Sequence, residues 1–227
     1  MGVADLVASL LHKYQIRATF FAANEKTVNG EGSLSPAWGA WWAARSKEGH
    51  EFASHTLDHT YWVRDLPGDK PVSFMVRPSQ GPFANRTLTW TDAQYCEGIA
   101  RANDRLQSYT GKKPLALYRA PGGKTSPQLL QTAQACGFKH VGWSPAGFLG
   151  DELPSDKYPN SALLAKALRD IKPGDILLAH LGIWSRKDPW APAVLEPLIV
   201  DLRAKGFCFA TLREHPDLRP WLRSKGQ

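Results

Sequence analysis

Helix-type and strand-type apolar patterns alternate along nearly all of the 227-residue chain, and no linker or low-complexity tract interrupts them. Reactive side chains fall at the carboxyl ends of the strand-type runs. Together these observations predict an α/β fold in one domain spanning 1–227, with parallel strands and outer helices, as an open doubly wound sheet or a barrel. Apolar residues at 43% and charged residues at 22% give enough material for a core and exclude a disordered chain. The longest aliphatic run, Ile176 to Ala179, is far short of the roughly 20 residues that a membrane span needs.

The elements follow in order. Val3, Leu6, Val7, Leu10, Leu11 and Tyr14 form a helix stripe, and Arg17 to Ala23 reads as a buried strand. This opening stretch is amphipathic and carries Asp5, His12, Lys13 and Arg17, so it does not read as a signal peptide. Ser35–Pro36 starts a second helix carrying Trp38, Trp41 and Trp42; Gly49 stops it, and Glu51 to Ser54 is a short strand. A Pro/Gly-rich stretch from Leu66 to Asn85 reads as the heart of an irregular insertion at about 66–90. Thr91 to Gln94 is a capping-box pattern opening a helix to about Tyr109. Strand Leu115–Arg119, a helix from Ser126–Pro127 to Gly137, strand Phe138–Trp143 and helix Ser161–Ile171 come next. Strand Asp175–His180, a helix from Pro197 to Lys205 and strand Phe207–Leu212 close the series.

Lys and Arg number 28 against 21 Asp and Glu, a net charge of +7. The basic residues are scattered and no block reaches five, which argues for a basic surface rather than a nucleic-acid partner. Cys96, Cys136 and Cys208 are too few and too dispersed for a disulfide framework or a zinc knuckle. Buried free thiols are the expectation, with a Cys136–Cys208 bridge left open, and with it the redox compartment. Nine tryptophans suit core packing, and also a sugar-binding cleft.

Strand Glu51–Ser54 runs into His55 and His59, and strand Leu115–Tyr118 into Arg119 and Pro121–Gly122–Gly123. Strand Phe138–Trp143 ends at Trp143, and Ile176–Ala179 at His180. In parallel α/β folds these ends share one face, where active sites are built. Imidazoles four residues apart suit a divalent metal, although such a pair alone is weak evidence against solvated or capping histidines. His180 is a candidate acid/base against a satisfied core histidine. Arg119 is a candidate site residue against a structural ion-pair partner. His12, His50, His140 and His215 belong to no constellation and read as surface or packing residues.

The ordered set of motifs resembles the polysaccharide deacetylases of the NodB-homology type, carbohydrate esterase family four. The pieces are RATFF at Arg17–Phe21, GHEFASHTLDH at Gly49–His59, YRAPGG at Tyr118–Gly123, GW at Gly142–Trp143, ILLAH at Ile176–His180 and AKGFCFATLRE at Ala204–Glu214. The resemblance implies a distorted barrel of parallel strands and a divalent metal, commonly zinc, held by one Asp and two His. It implies hydrolysis of a carbon–nitrogen, non-peptide bond in an N-acetylated carbohydrate. A second Asp takes the water proton, and a histidine protonates the leaving amine. Carried over by motif, His55 and His59 are the metal ligands, His180 is the general acid, and Arg119 orients the base. Leu178 lines the acetyl-methyl pocket, the Gly122 N–H is an oxyanion donor, and Trp143 is a cleft wall.

Two departures qualify the match. The family's T-F-D-D-G motif, which supplies both aspartates, ordinarily lies upstream of the ATFF segment, but only 17 residues precede Ala18 here and Asp5 does not fit it. The expectation is a domain truncated before its first strand, with any signal peptide lost alongside and an extracytoplasmic place for the full-length protein. The alternative is an inactive carbohydrate-binding pseudoenzyme. The family's Asp after the Trp143 position, which holds the catalytic histidine charged, is also missing from Ser144–Leu149. Asp151 is the nearest carboxylate and could substitute if the loop folds back.

Overall fold

The structure, a computed structural model, describes residues 1–68, 71–182 and 186–227. They form two compact units, Met1–Arg17 with Trp143–Ala210 and Ala18–Gly142 with Thr211–Gln227.

The second unit holds a parallel sheet of β1 (Thr19–Ala22), β2 (Glu51–Ser54), β6 (Leu117–Tyr118) and β7 (Lys139–His140), in the order β1-β2-β6-β7. Thr19 pairs with Glu51, Ser54 with Tyr118 and Tyr118 with His140. The connecting helices are α2 (Gly39–Lys47), α3 (Asp92–Thr110) and α4 (Pro127–Ala135). Each starts where its sequence signal lies. Thr91 and Gln94 close a reciprocal capping box on α3, and the Ser126 hydroxyl accepts the Leu129 N–H ahead of Pro127. Before α2, Ser35–Pro36 opens a single 3₁₀ turn, Pro36–Trp38, that leads into the helix.

Within the stretch expected to be irregular lies one strand, β4 (Ser73–Pro78), which pairs with β3 (Thr60–Asp65) before the stretch and β5 (Leu88–Thr91) at its end in a three-stranded antiparallel sheet; the described residues between these strands are irregular, as expected. Asp69 and Lys70 of that stretch lie outside the described residues. Phe74 and Val76 alternate with the less buried Met75 and Arg77, the period-two signature of a strand buried on one face. They pack with Tyr95, Ile99, Tyr118 and Leu129 in one core cluster. The cysteine expectation is also corrected. α3 and α4 bring the Cα atoms of Cys96 and Cys136 to 6.0 Å, within bridging range, and the two form a disulfide. Cys208 is an exposed free thiol rather than a buried one.

The first unit contains α1 (Ala4–Lys13), α5 (Asn160–Asp170) and α6 (Glu196–Ala204); a last helix, α7 (Arg219–Ser224), belongs to the second. The first unit's core gathers Leu149, Leu163, Trp190, Val194, Leu198 and Leu202.

Six parallel strands were expected, and four pair in the parallel sheet among the described residues. Asp175–His180 forms no strand beyond one bridge, and its N–H groups find mixed partners. Ile176 donates to the Ser144 hydroxyl, Leu178 to the Gly147 carbonyl and His180 to the Asp151 carboxylate. Only the bridge between Phe148 and Leu178 survives as sheet pairing. Phe207–Leu212 forms no strand, since the Thr211 N–H caps the turn Leu212–Glu214 through the Glu214 carboxylate.

Candidate functional site

His55 and His59 lie on the turn that leaves β2. The Ser54 hydroxyl accepts the Thr56 N–H at 3.1 Å, and the Thr56 hydroxyl accepts the Thr60 N–H at 2.8 Å. Thr56 and His59 take φ values of 60° and 46°, which non-glycine residues seldom adopt. Leu57 anchors the turn: it is buried, donates its N–H to Gly98 O and accepts from Asn24 N–H. With the apolar residue inward, the two imidazoles stand together, ring centroids 4.8 Å apart and planes at 68°.

The partners of Nδ1 decide which nitrogen of each ring can bind something. His55 Nδ1 lies 2.8 Å from the Arg119 carbonyl, which can only accept, so Nδ1 carries the proton and the lone pair is on Nε2. His59 Nδ1 lies 2.7 Å from the Ser79 hydroxyl, which donates to the His59 carbonyl at 3.3 Å. With the hydroxyl proton on that carbonyl, the oxygen accepts from Nδ1–H and the His59 lone pair falls on Nε2 as well. The Glu25 carboxylate is 3.9 Å from His59 Nδ1 and favours a proton there. Neutral imidazoles held in this way are the donors that a borderline divalent ion uses. The pair fits two positions of such a site. Among the described residues, no group of three or more His, Cys, Asp or Glu side chains comes together as a metal site.

Arg119, just past β6, has a buried guanidinium that donates to Val141 O at 3.0 Å and Gly142 O at 2.9 Å and lies 4.3 Å over the Phe21 ring. Burial lowers its pKa to about 10, so it stays cationic at neutral pH. It acts on His55 through its own carbonyl, a contact that sequence reading did not anticipate. Gly122 follows with φ 64°, and a Cβ there would come 2.9 Å from the Tyr61 ring. Tyr61 in turn stands edge-on to His59 at 4.9 Å. His140 is pressed against Tyr118, and burial lowers its pKa to about 4, which makes it a neutral packing residue.

In the first unit, Gly150 takes φ 75° and turns the chain so that Asp151 meets His180. Asp151 is buried; its Oδ2 accepts the His180 N–H at 2.6 Å, and its Oδ1 and Oδ2 lie 3.0 and 3.2 Å from His180 Nδ1. The loop does fold back, and Asp151 stands where the expected carboxylate was missing. Glu152 Oε2 lies 3.9 Å from His180 Nε2. Leu178 is buried two residues before His180, and Trp143 lies against Phe148, centroids 6.2 Å apart.

Thus one unit gathers His55, His59, Arg119 and Gly122, and the other holds His180 with Asp151, together with Leu178 and Trp143. Ser79, which orients His59, escaped the sequence reading. It follows the strand β4 that was not foreseen, and a lone serine after a proline carries no signal of its own.

The sequence model for polysaccharide deacetylase matches residues 2–141. A peptidoglycan-N-acetylglucosamine deacetylase of Bacillus cereus is 24% identical over 212 residues, 92% of this chain and 79% of that protein. A bifunctional xylanase/xylan deacetylase of Cellvibrio japonicus is 27% identical over 122 residues, 53% of this chain but only 16% of that protein. Among solved structures, a family 4 acetyl xylan esterase from Clostridium thermocellum, in complex with a cobalt ion, shares the fold. Its TM-score is 0.67 at 22% identity, covering 96% of this chain and 85% of that one.

Proposed function

The chain belongs to the polysaccharide deacetylase family, and from that premise we propose that it is a metal-dependent hydrolase that removes N-acetyl groups from an amino-sugar polysaccharide. The N-acetyl specificity follows the relative with the wider coverage, named for peptidoglycan N-acetylglucosamine.

One observation carries the reading. Each of the three motif histidines has its Nδ1 against an acceptor: the Arg119 carbonyl, the Ser79 hydroxyl and the Asp151 carboxylate. Each ring is thereby oriented to act through Nε2. His55 and His59 would hold the divalent metal, zinc by the chemistry of the donors. When bound, the metal supplies Lewis acidity toward the amide carbonyl and lowers the pKa of a water. His180 carries a proton on Nε2 and passes it to the departing amine as the C–N bond breaks, while water oxygen bonds to the acyl carbon and the water's proton is released to solvent, from which the ring is reprotonated. The products are acetate and the amino sugar. Asp151 stabilises the imidazolium before that transfer. The Gly122 N–H is assigned to the developing oxyanion, Arg119 to holding His55 and the segment Val141–Gly142, Leu178 to the acetyl methyl, and Trp143 to the sugar cleft. The Cys96–Cys136 disulfide suits an oxidising, extracytoplasmic setting.

The test is incubation with N-acetylglucosamine oligomers and zinc, measuring acetate and free amine together. Equal amounts of both, lost in His59→Ala and His180→Ala, are expected. Acetate without amine from acetylated xylan would overturn the amide reading, and release unchanged in both variants would overturn the site.

A further inference from the structure

The antiparallel sheet that follows the histidine turn has two faces of opposite character. Phe74 and Val76, both fully buried, mark the inner one, and their cross-strand partners Asp65, Trp62, Trp90 and Leu88 share it. Asp65 is engaged there: its Oδ1 accepts the Trp62 indole N–H at 3.0 Å and the Ser126 hydroxyl at 2.7 Å. The outer face takes the alternate residues. Arg77 stands directly opposite Tyr61, and Met75 stands between Arg64 and Thr89. The register slips between Trp62 and Arg64, which makes Val63 an extra residue there, 44% exposed. Arg64, Arg77 and Thr89 are exposed as well. This face runs into the histidine pair. Tyr61 stands edge-on to His59, and Lys124, just past Gly122 and Gly123, holds Nζ 5.6 Å from the centre of the Tyr61 ring. Arg64, paired two residues of β4 away from Arg77, lies about 7 Å farther along the sheet. Among the described residues no carboxylate pairs with Arg64, Arg77 or Lys124. Glu25, the acid at the histidine end, lies against His59 Nδ1 at 3.9 Å.

We propose that this outer face docks the sugars that flank the reacting one, and that it selects a polysaccharide carrying carboxylates of the uronic-acid kind beside its acetamido sugars. Keeping the face in water would be served by charges of either sign. These are all cations, which repel one another until an anion arrives. Each arginine presents forked donors that match a carboxylate in two-point contact, and Lys124 adds a compact charge. The half-buried Tyr61 ring offers apolar surface to the C–H face of a sugar. A chain whose acetamido group reaches His55 and His59 passes over Tyr61 and meets Arg77 and Arg64 with its neighbouring units. That the ligand is a glycan rests on the deacetylase reading; the preference for negative charge rests on this face alone.

The test is calorimetric titration of the chain with short hyaluronan oligosaccharides, in which N-acetylglucosamine alternates with glucuronate. Uncharged chitin oligomers of equal length are titrated in parallel. Hyaluronan should bind about tenfold or more tightly at low salt, and the gap should close as sodium chloride screens the exposed pairs. Arg64→Gln together with Arg77→Gln should bring hyaluronan down to the affinity of chitin. Arg219→Gln with Arg223→Gln removes the same charge from exposed positions on α7 and should leave the gap as it is. Equal affinities for the two glycans, a gap that survives loss of Arg64 and Arg77, or a gap lost equally in the α7 variant overturns the proposal. So does an oligothymidylate of matched charge that binds as tightly as hyaluronan, since the face would then answer to charge alone. The comparison of glycans uses the unaltered chain, so a poorly folded variant does not shield it. Acetate release is measured on the same samples, because both glycans carry the acetamido group. Hyaluronan held through the two arginines with acetate released from neither glycan retains the surface and refutes the deacetylase reading. Acetate released from both with equal affinities does the reverse.

Discussion

The turn that carries His55 and His59 and the loop that meets His180 solve one problem in opposite ways. Both fix an imidazole through Nδ1. In the turn the hydrogen-bond acceptors are neutral, a carbonyl and a hydroxyl, with the Glu25 carboxylate farther off at 3.9 Å from His59 Nδ1, and each ring keeps its lone pair on Nε2. In the loop the acceptor is a buried carboxylate held in two-point contact, which stabilises the charged ring. On the proposed reading, the same side chain serves as a ligand in one region and as an acid in the other. The difference is made by the residue behind it and not by the motif.

The largest effect should come from exchanging those partners' properties. Asp151→Asn keeps the shape but removes the charge, and turnover should fall ~10²–10⁴-fold, the range for a positioned acid, with zinc content unchanged. Steady-state rates with metal analysis on the same sample check this. His55→Ala and His59→Ala should instead abolish zinc binding by calorimetry. Next in size, Ser79→Ala leaves both ligands in place but removes the acceptor for His59 Nδ1. Zinc affinity should drop roughly 10–100-fold, the usual cost of losing a ligand's outer partner. An unchanged affinity would mean that the tautomer is set elsewhere.

Smaller effects probe the scaffold of the ligand turn. Gly122→Ala places a methyl 2.9 Å from the Tyr61 ring at φ 64° and should destabilise the unit by about 1–3 kcal/mol in thermal or denaturant melts. The smallest is a pH effect at His140. Its folded pKa, about 4, lies below the unfolded value of 6.5, so the unfolded chain takes up the proton first. Stability should therefore fall as pH drops from about 6.5 toward 4 and be unaffected by this group above that window. His140→Gln should flatten that slope in melts across the range.

Much of the ligand region was legible because local signals decide it. Glu51–Ser54 is a strand over the span its sequence marked, and Thr91–Gln94 caps α3 as written. The strands that failed did so for tertiary reasons. Asp175–His180 has the right residues, but its donors are met by Ser144, Gly147 and Asp151, a mixed edge that no periodicity encodes. The antiparallel sheet was readable in the alternation of Phe74 and Val76, and the surrounding Pro and Gly masked it. Asp151 could be named as a substitute from its nearness in sequence, yet the positive φ of Gly150 is what brings it to His180. The Arg119 carbonyl and the Ser79 hydroxyl are invisible to motif reading, because one is backbone and the other belongs to a separate sheet.

The central claim, that the partner of Nδ1 sets each histidine's role, is tested most directly by long-range ¹H–¹⁵N NMR of the imidazoles with and without zinc. The account predicts Nδ1–H tautomers at His55 and His59, with zinc moving the Nε2 resonances of those two rings and leaving His180 in place. Nε2–H tautomers at His55 and His59, or a zinc-induced shift centred on His180, would contradict it.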